Sequence, residues 1–202
     1  FDIAHNVPDS VGIILQTPAG KIVNPGDFKL TNDENGKPQN LELWEKIGKK
    51  DILALCLDST NSEVPGWSVS ERIVEKNLEE IFRNAEGRVI VGTFASLLDR
   101  LFEMVKMAEK LGRKVALSGY SMKTNMEISQ NLGLLKAERG LIIPVEMANK
   151  YPDNKILILA TGAQGESNAS MMKIVNGEHK SVRIKRGDTV VFSSSIIPGN
   201  ER

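Results

Sequence analysis

The 202-residue sequence is short of several things, and each shortage closes off a class of protein. It holds one cysteine, Cys56, so no disulfide forms within the chain, and a lone thiol fits a reducing compartment. Cys56 sits in the apolar run 52–57, where a free cysteine is expected to act as a small core hydrophobe rather than as a nucleophile. Two histidines, His5 and His179, cannot by themselves supply the three protein ligands of a catalytic metal centre. Charge of either sign is not in excess: 26 lysines and arginines face 26 aspartates and glutamates. A protein held on nucleic acid by bulk charge would be more basic, so contact with RNA would have to be made at a local site. No run of about 18 apolar residues is present to form a membrane-spanning helix. The opening residues lack the basic, apolar and small-residue order of a signal peptide, and Phe1 with the residues up to 6 reads as mid-protein sequence. A fragment or processed chain is therefore expected.

What is present is ordinary globular material, 41% hydrophobic and 26% charged, enough for one full core and part of a second. Apolar residues 11–16 and 22–23 flank Pro18-Ala19-Gly20, which predicts a hairpin. Residues 31–40 are polar and rich in glycine and asparagine and read as a loop, and 52–57 reads as a short strand. This β-rich opening section has few places to bury its apolar faces alone. From about residue 70 the pattern changes. Ser68 and Glu71 have capping-box spacing, and Val74, Leu78, Ile81, Phe82 and Ala85 recur at helical period. Strands are expected at 89–91, 115–117, 156–159 and 189–192, and helices at 96–111, 122–132 and 169–175, with glycines 112, 133 and 177 as stops. Pro144 suits the first turn of a further short helix. Strand, loop and helix in repetition predict an α/β fold, a parallel sheet with helices on both faces. A domain boundary is expected between 62 and 70, giving a β-rich segment over 1–65 and an α/β domain over 66–202.

In an open parallel sheet ligands bind beyond the carboxyl ends of the strands. Four expected strands end in small polar loops: 93–96, 118–121, 161–166 and 193–195. Thr93, Ser96, Ser121 and Ser195 are the hydroxyls there that suit a phosphate beside helix-start N–H groups; each alone reads more readily as a cap or turn residue, and it is four such loops on one edge that bring the two readings level. The Gly162-Ala163-Gln164-Gly165-Glu166 stretch lacks the Gly-Lys-Ser/Thr ending of a P-loop, but its glycines allow close backbone approach. Glu166 near a phosphate would need a cation or hydroxyl partner, or it serves the helix N-terminus. His5 and Asp27 are the possible metal ligands, an imidazole and a carboxylate of the kind zinc and manganese accept. Asp58 ends a strand, as an active-site carboxylate or as the head of an Asx-turn over Ser59-Thr60. His179 lies in a turn without metal-ligand spacing and reads as surface.

Taken in order, these motifs resemble the ribonuclease J family of the metallo-β-lactamase/β-CASP superfamily. The likeness runs through Pro8-Asp9-Ser10, Thr17-Pro18-Ala19-Gly20, Gly26-Asp27-Phe28-Lys29 and Asp58-Ser59-Thr60-Asn61. It continues in Glu86-Gly87-Arg88, Thr93-Phe94-Ala95-Ser96 with Arg100, Gly112-Arg113-Lys114-Val115 and Ser121-Met122. It closes with Gln164-Gly165-Glu166, Gly187-Asp188-Thr189 and Pro198-Gly199-Asn200-Glu201. The resemblance implies the end of a metallo-β-lactamase section followed by most of a β-CASP domain. It also implies hydrolysis of RNA phosphodiester bonds by metal-activated water, with two divalent metals, zinc or manganese. On it, His5 and Asp27 match metal-ligand motifs, Asp58 matches a catalytic acidic residue beside the metals, and residues 93–96, including Ala95, match a segment near the bound RNA. With Ser121, Gly165, Glu166 and Ser195 these make up the candidate RNA-binding set.

The departures shape the expectation. The His-x-His-x-Asp-His motif that supplies most ligands in the family is absent, as are the histidines that follow Pro-Gly-Asn-Glu. Leu97 and Asp99 stand where polar and basic residues are usual, Asn24-Pro25 where His-Thr is usual, and Ala163 where Ser is usual. The expectation is a cytoplasmic, homo-oligomeric parent ribonuclease, with this chain inactive by itself and holding no metal tightly. The alternative is a non-catalytic RNA- or nucleotide-binding module.

Overall fold

A computed structural model describes residues 1–30, 32, 37–38, 41–162, 166 and 168–194. The chain forms two compact units, Phe1–Val74 and Glu75–Arg202.

The first unit holds a three-stranded sheet of β1 (Ile13–Thr17), β2 (Gly20–Asn24) and β3 (Ile52–Leu55), in that order. β1 and β2 form the expected antiparallel hairpin. Thr17 locks its turn, donating through Oγ1 to the Gly20 carbonyl at 2.6 Å and accepting from the Ala19 N–H at 3.2 Å. β3 joins parallel to β2, with an irregularity between Lys21 and Ile22. The helix α1 (Leu41–Gly48) was not expected. Leu43, Trp44 and Ile47 do recur at helical spacing, but eight residues are too few for the period to stand out. Trp44 anchors this helix, its ring 5.4 Å from that of Phe28 and 6.3 Å from that of Phe1. Ile13, Leu15, Leu53 and Leu55 stay exposed, as the shortage of covering elements suggested. Cys56, expected in the core, is exposed as well; it follows directly on Leu55, the last and likewise exposed residue of β3.

α2 (Glu71–Asn84) leads from the first unit into the second. Its first bonds run from the Ile73 and Val74 N–H groups to the Ser70 carbonyl, so Ser70 rather than Ser68 stands at the helix start. The second unit is a five-stranded, wholly parallel sheet of β4 (Val89–Thr93), β5 (Lys114–Ser118), β6 (Ile142–Pro144), β7 (Ile156–Ala160) and β8 (Thr189–Ser193). The spatial order is β6-β5-β7-β4-β8. The short β6 was read only as the approach to a helix; Pro144 ends it and precedes a 3-10 helix over Val145–Lys150.

Every residue of β4 and β7 is buried, as a strand covered on both faces requires. Alternate side chains divide between the faces. Ile90, Ala116, Ile158 and Ala160 meet Met171 and Ile174 of α5 (Ser170–Val175) and Val182 on one face. The intervening residues, Val91, Leu117 and Leu159 among them, point to the opposite face. α3 (Leu98–Lys110) and α4 (Tyr120–Asn131) pack against β5. The fully buried Leu101, Met104 and Val105 give α3 its apolar stripe. α3 begins two residues later than expected, with Leu97 rather than Ser96 at its cap, and it ends as expected. Gly112 takes φ +64°, and the Arg113 N–H reaches back to Ala108 O at 2.8 Å.

The amino ends of the strands are fastened by buried polar groups. Arg88, 1% exposed, forms a two-pronged bond with Asp188 at 2.9 and 2.6 Å and donates to the Arg183 carbonyl at 2.6 Å. Arg113 donates to the carbonyls of Ala85, Gly87 and Ile156. Burial lowers the pKa of Arg113 from its ordinary value. A Cβ on Gly87 would collide with the Gly187 carbonyl oxygen. The Glu86-Gly87-Arg88, Gly112-Arg113 and Gly187-Asp188 motifs thus do structural work at the end of the sheet opposite the candidate site.

Candidate functional site

The parallel register puts the expected strand-end loops on one edge. Ser118 of β5 pairs with Ala160 of β7, Ala160 with Gly92 of β4, and Thr93 with Ser193 of β8. β4 and β7 lie side by side, yet the chain leaves them in opposite directions along the sheet, toward β5 and β8. Reversals of this kind open crevices in which α/β folds bind ligands.

Thr93 is fully buried and its Oγ1 donates to the Ser193 carbonyl at 3.1 Å, tying β4 to β8. Ser96 is exposed in the loop that follows, and the Ala95 carbonyl is held by the Asn125 side-chain amide at 2.8 Å. Ser121 is exposed in the first turn of α4, and Glu166 is exposed before α5. Gly165 and Ser195, like Gln164 and the Pro198–Glu201 motif, lie outside the described residues. Arg100 joins the edge: its guanidinium donates to the Ser193 carbonyl and hydroxyl, both at 3.2 Å. Residue reasoning did not single it out as a site residue, because its place seven positions beyond Thr93 acquires meaning only once α3 folds back over β8's end.

Gly119 controls how the β5 strand turns into α4. It takes φ +119° and ψ +136°, which only glycine adopts easily, and a Cβ there would collide with the Thr161 side chain. Beside it, Ser118, 2% exposed, lies 2.9 Å from Nε2 of His179. His179 is half-buried, not the surface residue its turn suggested. The N–H groups of Ser181 and Val182 both point at its Nδ1, at 3.2 and 3.0 Å. Nδ1 therefore carries the lone pair, and the neutral ring holds its proton on Nε2, donating to Ser118. That tautomer cannot accept the Ser118 proton, so the pair is no nucleophile and base. Burial pushes the His179 pKa down, and Lys123, Lys173 and Arg183 push it the same way against Glu146.

In the first unit, Asp58 is exposed and accepts on Oδ1 from the Thr60 hydroxyl at 2.6 Å and the Thr60 N–H at 3.0 Å. The Asx-turn is therefore present. The Thr60 bonds, with help from the charge of His5, hold the carboxyl below its ordinary pKa. The Lys29 N–H bonds the Ala4 carbonyl at 2.9 Å, which brings the Gly26-Asp27 turn beside the segment carrying His5. The donors are of the right chemistry for a divalent metal, but not of the right number. Among the described residues no three His, Cys, Asp or Glu side chains group to hold an ion. Among the same residues no helix is long and apolar enough to cross a membrane.

Comparison with known proteins adds an independent finding. Residues 86–202 match the family model "Ribonuclease J, beta-CASP domain". Among curated proteins, the chain is 43% identical over 197 residues to ribonuclease J of Synechocystis, covering 97% of this chain and 31% of that protein. It is 42% identical over 202 residues to ribonuclease J of Thermus thermophilus, covering all of this chain and 35% of that one. With ribonuclease J 1 of Streptococcus pyogenes it shares 41% identity over 201 residues, 99% of this chain and 36% of the other. The chain thus spans about a third of the length of these relatives.

Proposed function

Because the chain belongs to the ribonuclease J family, we propose that it is part of a metal-dependent ribonuclease that hydrolyses RNA phosphodiester bonds. The observation that carries this reading is the single edge on which β4, β5, β7 and β8 end, with hydroxyls and the Arg100 guanidinium gathered there. On this reading, that edge serves the RNA backbone. Thr93 and Arg100 fix the ends of β4 and β8, Asn125 holds the Ala95 turn, and Ser96 and Ser121 offer exposed hydroxyls to phosphate oxygens.

His5 and Asp27 would be metal ligands in the full-length protein, completed by donors from other parts of it. Zinc or manganese bound there would supply an activated water and charge neutralisation at the scissile phosphate. Asp58, ionised through its Thr60 bonds, would orient groups beside that centre. The isolated chain is then inactive. The test is cleavage of end-labelled single-stranded RNA by the full-length protein and by this chain alone, with and without chelator. Metal-dependent cleavage by the first and none by the second is expected. Cleavage by the isolated, contaminant-free chain would sink the proposal.

A second reading, a non-catalytic RNA-binding module, is favoured by one observation, the shortfall of grouped metal donors among the described residues. Absence of cleavage by the full-length protein, with RNA binding retained, would select it.

A further inference from the structure

The strand-end edge is fastened in two halves. Thr93 and Arg100 tie β4 to β8, and Asn125 holds the turn after β4. The half formed by β5 and β7 is held by a closed circuit of hydrogen bonds. The Thr161 N–H bonds the Ser118 carbonyl at 3.1 Å and joins the ends of β7 and β5. The Met171 N–H bonds the Thr161 carbonyl at 2.8 Å and fastens the first turn of α5 there. At the other end of α5 the Glu178 and His179 N–H groups bond the Lys173 carbonyl at 2.7 and 2.9 Å. His179 closes the circuit on β5, its Nε2 2.9 Å from Ser118 Oγ. α5 has six residues, too few to hold a helix by itself, so its place depends on what fixes its two ends.

Two of the strand-end segments leave from this circuit. Ser118 is followed by the Gly119 corner and the exposed Ser121. Thr161 is followed by Gly162, where a Cβ would collide with Ala169 just before α5. The 179–182 backbone is itself anchored, because the Val182 side chain is fully buried in the core. Nδ1 of His179 accepts from the N–H groups of Ser181 and Val182 at 3.2 and 3.0 Å. A proton on Nδ1 would set three N–H donors against one another. The ring would then leave the 181–182 backbone, and with it Ser118, which opens the circuit. The charged groups acting on the ring are Lys123 of α4, Lys173 of α5 and Arg183, with Glu146 of the 3-10 helix opposing them.

We propose that neutral His179 is the positioning residue for the β5 and β7 half of the RNA edge, so that RNA binds with the ring neutral and protonation of the ring weakens RNA binding. The inference rests on the RNA reading of the preceding section. Linkage makes the effect reciprocal: RNA that selects the neutral ring makes it harder to protonate. That sign is opposite to the one expected if RNA only brought negative charge near the ring, which would favour the imidazolium.

The experiment uses the full-length protein, chelator-treated so that RNA is not cut, and oligouridylate, whose bases stay neutral over the range of about pH 5 to 8 in which histidine titrates. Affinity is measured across that range for the wild type, His179→Asn, Ser118→Ala and the double variant. The asparagine Oδ1 takes the place of Nδ1 and accepts the same two N–H bonds at every pH, but it does not reach Ser118. At the alkaline end His179→Asn is expected to bind RNA more weakly, by up to about fivefold, the worth of one net hydrogen bond. Ser118→Ala should lose as much, and the double variant no more than either. Below pH 6.5 the wild-type affinity, taken relative to His179→Asn, should fall by up to about tenfold per pH unit, the limit for one linked proton. Independently of any variant, saturating RNA should move the His179 titration, followed by NMR in the wild type, to lower pH. A pH-independent ratio between wild type and folded His179→Asn overturns this role for His179 and leaves RNA binding standing. So does a His179 titration that rises or stays still on RNA binding. A wild type that binds no RNA at any pH overturns the reading on which the inference rests.

Discussion

Replacing Arg88 by methionine isolates the contribution of the buried fastening from everything at the candidate site. Arg88 and Asp188 have side chains 2% and 1% exposed and share two hydrogen bonds, and Asp188 also accepts from the Lys185 N–H at 3.0 Å. Arg88→Met leaves the Asp188 carboxylate without its cation and the Arg183 carbonyl without its donor. Breaking a buried pair from one side costs about 3–5 kcal/mol. For a unit of this size that lowers the melting temperature by about 10–20 °C. The double variant Arg88→Met with Asp188→Leu removes both charges and is expected to recover part of the loss. Recovery stops short because the Arg183 carbonyl still lacks its donor, at about 1 kcal/mol. Urea denaturation of the wild type, both single variants and the double variant closes the cycle. A cost below 1 kcal/mol for Arg88→Met, or a double variant no better than the single, would refute the claim that this pair fastens the sheet.

Other outcomes follow from individual contacts. Gly119→Ala places a Cβ on the Thr161 side chain at a backbone angle alanine avoids, costing about 1–3 kcal/mol from the backbone alone, read by the same denaturation curve. His179 has a depressed pKa in the folded state, so its stabilising contribution is complete above the unfolded value of about 6.5 and is lost as pH falls through the lower folded value. The wild type should therefore lose stability below pH 6.5 more steeply than His179→Gln, and identical pH profiles would contradict this. Thr60→Val removes the larger of the bonds that lower the Asp58 pKa, so its carboxyl titration by NMR should move up toward the ordinary value of 3.8. In the full-length protein, Asp27→Ala should reduce bound metal measured by elemental analysis, and unchanged stoichiometry would remove Asp27 from the ligand set.

The sheet was legible because its signals are local and repeated. The apolar runs at 89–91 and 156–159 are of strand length, and glycines 112, 133 and 177 mark where helices stop. Strand order was not legible, since β7 enters between β5 and β4 through contacts far apart in sequence. The strand-end residues Thr93, Ser96 and Ser121 could be proposed from the parallel-sheet rule alone. Their division of labour could not, because burial makes Thr93 a tie between strands and leaves Ser96 and Ser121 open. His179 misled for a physical reason: its neighbours Asn176, Gly177, Glu178 and Lys180 are turn and surface types, while Ser118, which draws the ring inward, lies 61 residues away. The motifs around Gly87, Arg113 and Asp188 carried part of the resemblance with no role assigned, and they hold the opposite end of the sheet together.

The most direct measurement is the release of labelled nucleotide from single-stranded RNA by the full-length protein, wild type and Asp27→Ala, across a titration of divalent metal. The account predicts cleavage by the wild type that rises from nothing in chelator, and little or none by Asp27→Ala at any metal concentration. Cleavage that persists in chelator, or that survives Asp27→Ala unchanged, would contradict it.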